Sequence, residues 1–95
     1  MNIPKKFKLG GFTWTVVMRK RLKGKYGDCD LKNLKINILD SLAPEMKEQT
    51  FCHELTHAIW FAMGKDQETH NEEAIDGFAM FLHQYFNTAE YEAII

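Results

Sequence analysis

Apolar and polar residues alternate through the first forty positions and then change to a spacing of three and four, so the chain reads as strands followed by helices. Phe12, Trp14 and Val16 alternate with Thr13, Thr15 and Val17, the pattern of a strand with one buried face. Residues 7–9 precede it across Gly10-Gly11, a pair that supplies the positive φ angles of a two-residue hairpin turn. Residues 26–31 and 34–39 form a second strand pair around Lys32-Asn33, with Leu34, Ile36 and Ile38 on one face. A helix is predicted over 44–63, with Phe51, Leu55, Ala58, Ile59 and Ala62 as its apolar face. Asp40 or Ser41 is expected to cap it, Pro44 suits its first turn, and Gly64 is its stop. A second helix is expected over about 71–86, with Ile75, Phe78, Ala79, Leu82 and Phe86 apolar and Asn87-Thr88 interrupting it. The fold class is α+β. A small, mostly antiparallel sheet of three to four strands packs on one helix, and a second helix returns antiparallel to the first, in a single domain spanning 1–95.

The first helix carries His53-Glu54-Leu55-Thr56-His57. Side chains at i and i+4 share a helix face, so His53 and His57 can bind one metal ion, and Glu54 beside them can act as general base on a metal-activated water. A catalytic zinc takes three protein ligands and keeps one position open. Downstream candidates for the third are Glu68, His70, Glu72, Glu73, Asp76 and His83. Glu72 and Asp76 lie one turn apart on the second helix, so Glu72 can ligate while Asp76 accepts the other ring N–H of a ligating histidine. Glu73, turned about 100° away, is the rival ligand if the helix rotates. His70 reads as an exposed linker residue, and His83 lies about three turns from Glu72, away from the metal.

At 95 residues and 45% hydrophobic content the chain has room for only a thin core, so a bound metal or a partner would help to stabilise it. Cys29 and Cys52 make no Cys-x-x-Cys pair and no disulfide framework, which suits two buried thiols in a reducing, cytoplasmic setting. No apolar run is long enough to span a bilayer. Lys5, Lys6, Lys8, Arg19, Lys20, Arg21, Lys23 and Lys25 precede every acidic residue. Such a basic end can touch nucleic acid or an acidic partner, but with no stacking aromatic pattern beside it a solvated hairpin and loop is the preferred reading.

Asn71-Glu72-Glu73-Ala74-Ile75-Asp76 resembles the second motif, Asn-Glu-x-x-x-Asp, of the gluzincin metallopeptidases of the thermolysin type. Residues 34–38 and Phe78-Ala79 are also similar to the ImmA/IrrE-type metallopeptidases common in phages and mobile elements, and the length is similar to single-domain minigluzincins. The resemblance implies a zincin-like fold and a zinc endopeptidase acting on a protein or peptide. One Zn²⁺ would be held by His53, His57 and Glu72, with Glu54 as base and Asp76 supporting a ligand. It also implies that the strand with Lys35, Ile36, Asn37 and Ile38 offers its edge to an extended substrate. Tyr26, Tyr85 and Tyr91 are the candidate oxyanion donors. The alternative is a non-catalytic module, stabilised by zinc, that binds protein or nucleic acid.

Overall fold

The computed structural model describes residues 1–65 and 71–92, so Glu68, His70 and the tail 93–95 lie outside the described residues. Strand β1 (Lys6–Leu9) and strand β2 (Phe12–Arg19) form the expected hairpin. Gly10 and Gly11 have φ of 60° and 83°, the paired positive angles of a type I′ turn. β2 continues beyond its hairpin partner, and its second half, from Thr15 to Arg19, pairs in parallel with strand β4 (Lys35–Leu39). Strand β3 (Gly27–Asp30) pairs antiparallel on the other side of β4, which gives the order β1-β2-β4-β3. Two of the three pairings are antiparallel and one is parallel.

This order corrects one expectation. Lys35, Ile36, Asn37 and Ile38 do not form a sheet edge, because β4 is hydrogen-bonded on both sides. Composition gives the reason: β4 carries Ile36 and Ile38, both fully buried, and belongs in the middle. β3, reading Gly-Asp-Cys-Asp, has the low β-propensity and charge that suit an edge.

Trp14, Ile36 and Ile38 from the sheet meet Phe51 and Ala58 of helix α1 (Pro44–Ala62). Phe7 stacks on Trp14 at 6.2 Å and meets Phe51 edge-on. α1 is packed on both flanks, by the sheet on one side and by helix α2 (Glu72–Thr88) on the other. Burial therefore wraps around the helix and includes Thr50, Cys52, Glu54 and Thr56, while Ala62 of the expected apolar face is exposed. The Thr56 hydroxyl donates to the Cys52 carbonyl at 2.7 Å, so this buried polar group is satisfied.

The helix ends differ in detail from the sequence reading. Ala43, not Asp40 or Ser41, is the N-cap of α1, because Pro44 at the helix start holds the preceding residue extended, at ψ 151°. Gly64, with φ 77°, ends α1 as expected: its N–H reaches the Phe61 carbonyl and the Lys65 N–H reaches Trp60. Asn71 caps α2 by accepting the Ala74 N–H at 3.2 Å. Asn87 and Thr88 stay within α2, since Asn87 Nδ2 donates to His83 at 2.6 Å and Thr88 Oγ1 donates to the Gln84 carbonyl.

Candidate metal centre

The two helices run antiparallel, so the first turn of α2 lies against the middle of α1, while His83 near its other end meets Glu48 at 3.1 Å. His53 Nε2 lies 3.1 Å from Glu72 Oε2, His57 Nε2 lies 3.2 Å from Glu72 Oε1, and the two Nε2 atoms are 3.3 Å apart. Ligand atoms about 2.0–2.1 Å from a tetrahedral zinc are separated by about 3.3–3.4 Å along each edge. All three spacings sit close to that edge length. Two imidazole nitrogens and one carboxylate also match the donor set of an open zinc site. Among the described residues this is the one His/Cys/Asp/Glu group that converges tightly enough for an ion, and Glu73 is not in it.

Asp76 Oδ1 lies 2.8 Å from His53 Nδ1. In the neutral ring an Nδ1–H donated to this carboxylate would leave the Nε2 lone pair for a metal ion shared with Glu72. Asp76→Asn is expected to weaken zinc binding by about 10- to 100-fold without unfolding the domain, read by competition with a chromogenic chelator. Unchanged affinity would mean that Asp76 does not tune the site.

Glu54 is 8% exposed, beneath β3 and beside His53. Burial pushes its carboxyl up to about 7, with the charges of Asp28 and Glu72 adding to the rise and those of His53 and Lys25 opposing it. Gly27 makes this close packing of β3 on α1 feasible. A Cβ at that position would lie 2.5 Å from Thr50 Cγ2 and 2.9 Å from the Asn37 carbonyl. Gly27 was not singled out from the sequence, although a glycine inside a strand marks just such an approach.

Two cavities flank the group along β3 and share Gly27, His53 and Glu54. One, of about 440 Å³, is lined by Tyr26, Met46, Gln49 and Thr50; the other, of about 490 Å³, by Lys25, Asp28, Cys29 and Leu31. Neither Lys25 nor Met46 carries a sequence signal that marks it as lining a groove. Cys52 is buried and Cys29 half-buried; burial, reinforced for Cys29 by the charges of Glu54, Asp28 and Asp30, pushes that thiol up to about 12 and keeps it neutral. Of the three tyrosines considered, Tyr26 borders the groove, whereas the Tyr85 and Tyr91 hydroxyls bond to each other at 2.8 Å toward the far end of α2.

A sheet laid across a helix that bears His-Glu-x-x-His, with a carboxylate returned by a second helix, places this chain among the zincin-like proteins. The SprT-like family model matches residues 3–90, and the chain belongs to that family, which is part of the zincin-like metallopeptidase clan. This replaces the ImmA/IrrE-type minigluzincin assignment. That assignment rested on residues 34–38 and on Phe78-Ala79, short apolar stretches of the kind found in many buried strands and helices. Searches of curated proteins and of solved structures returned no match. No described helix is long and apolar enough to cross a membrane.

Proposed function

We propose that this protein is a zinc-dependent endopeptidase, with His53, His57 and Glu72 as metal ligands and Glu54 as general base. The observation that carries the reading is the convergence of both Nε2 atoms and the Glu72 carboxylate at 3.1 to 3.3 Å, beside a buried Glu54. Zinc bound there would supply a Lewis acid and make water acidic enough to attack a carbonyl at neutral pH. Glu54 takes the proton of the attacking water and delivers it to the departing amine nitrogen. Asp76 holds His53 in register throughout.

The register of β3 supports an extended polypeptide as substrate. The Leu39 N–H donates to the Tyr26 carbonyl at 2.8 Å, so in the antiparallel alternation Asp28 faces Asn37 as a hydrogen-bonded pair. Gly27 and Cys29 then direct their N–H and C=O groups away from β4, to the edge that no described strand pairs with, beside the groove. A substrate strand pairing with these two residues would run past Glu54 with its side chains entering the flanking cavities. Tyr26 is the proposed oxyanion donor. Tyr26→Phe is expected to keep zinc and lower kcat by about 10²-fold, while Tyr85→Phe leaves kcat unchanged.

Zinc quantification together with cleavage of casein and a peptide library tests the whole reading. One zinc per chain with zinc-dependent cleavage is the expected result. Zinc binding without cleavage of any peptide would instead describe a metal-stapled binding module.

A further inference from the structure

Helix α2 forms an outer layer that packs chiefly on α1, and its burial is sparse: Ile75 and Ala79 are its buried residues. From Gly77 to Ala89 the sequence has no Asp, Glu, Lys or Arg. On the flank turned away from Glu72 and Asp76, by about half a helical turn, Phe78 is 48% exposed, Phe81 66% and Tyr85 51%. Trp60 of α1 packs edge-on against Phe78 at one end of this row. At the other end Tyr91, 77% exposed, bonds to Tyr85. A solvated helix of a monomer would carry charges here.

We propose that this aromatic flank is the interface between two copies of the chain, packed α2 against α2 about a twofold axis near Phe81. Area and symmetry both favour a second copy. With full aromatic burial of about 150–250 Å² per side chain, the four exposed rings leave about 500 Å² open, near the upper end of the largest apolar patch on an ordinary monomer. If apolar area makes up about 60% of an interface, a patch of this size corresponds to about 800 Å² per partner, the size of a standard stable association. The α2 part of the row, Phe78 to Tyr85, is uncharged and self-complementary: antiparallel pairing about Phe81 sets Phe78 against Tyr85 of the other copy and opposes the two helix dipoles favourably, with Glu90 and Glu92 at the rim. Because Glu72 and Asp76 occupy the other flank, the groove stays open in the dimer.

Sedimentation equilibrium across about 1 to 100 μM, the range in which an interface of this size declares itself, provides the test. The wild-type chain is expected as a dimer and Phe81→Glu as a monomer with an unchanged far-UV spectrum and zinc content. Met80→Glu, on a different exposed face of the same helix, is expected to remain dimeric. A wild-type monomer at the highest concentration overturns the proposal. So does a dimer that survives Phe81→Glu, an equal loss with Met80→Glu, or open-ended association in place of a closed pair.

Discussion

Glu54→Gln is expected to retain one zinc per chain and to lose peptide cleavage by about 10²- to 10⁴-fold, the range a positioned general base supplies. The substitution keeps the shape of a side chain packed under Gly27, so the fold and the proposed metal ligands have no reason to change. Cleavage at the wild-type rate by the zinc-loaded variant would remove Glu54 from the mechanism. A second consequence follows in the zinc-free protein. The Glu54 carboxyl is raised by burial from 4.5 to about 7, so between these values the folded chain holds a proton that the unfolded chain has released. Stability must therefore fall as pH rises through that window, and by neutral pH the buried charge costs on the order of 1–3 kcal/mol. Gln carries no such charge. In chelator, Glu54→Gln should be the more stable form in urea unfolding at slightly alkaline pH, and the advantage should vanish on acidification to the ordinary carboxylate range. An advantage that does not vary with pH would mean that Glu54 is not the group responsible.

The site was more legible in the sequence than the sheet that covers it, for a physical reason. His53 and His57, like Glu72 and Asp76, are separated by four residues on a helix, and that spacing alone puts each pair on one face. The hairpin was legible because Gly10-Gly11 encodes its turn locally. Strand order is not local. The parallel pairing of Thr15 to Arg19 with Lys35 to Leu39 closes a loop of about twenty residues, and nothing in either segment names the other. The substrate-edge assignment therefore fell on the strand next to α1 in sequence, whereas the edge next to α1 in space is β3. Apolar spacing likewise could not separate Ile75 and Ala79, which are buried, from Phe78 and Phe86, which are close to half exposed, since all four fall within a helical apolar pattern. Their difference depends on how much of α2 is covered by α1.

Removing one zinc ligand should separate Glu72 from Glu73 more sharply than any activity measurement. His57→Ala and Glu72→Ala are each expected to weaken zinc binding by at least about 10²-fold, since apparent free energies of about 10–16 kcal/mol for four-ligand zinc sites amount to roughly 3 kcal/mol per ligand. Glu73→Ala should bind zinc as the wild type does, because its carboxylate is not among the groups that converge with His53 and His57. Thermal unfolding reads the same difference without a substrate. Zinc that binds the folded chain raises its Tm in proportion to RT ln(1 + [L]/Kd), so at a fixed zinc excess the wild type and Glu73→Ala should gain stability while the two ligand variants gain little. The metal-free Glu72→Ala form should melt close to the wild type, because Glu72 is exposed at the start of α2 and gives the zinc-free fold little packing; the His57 side chain is only 14% exposed, so His57→Ala loses packing and its zinc response is read against its own metal-free Tm. A zinc-dependent rise retained in Glu72→Ala and lost in Glu73→Ala would transfer the third ligand to Glu73 and require α2 to rotate by about 100° from the arrangement in which Asp76 meets His53.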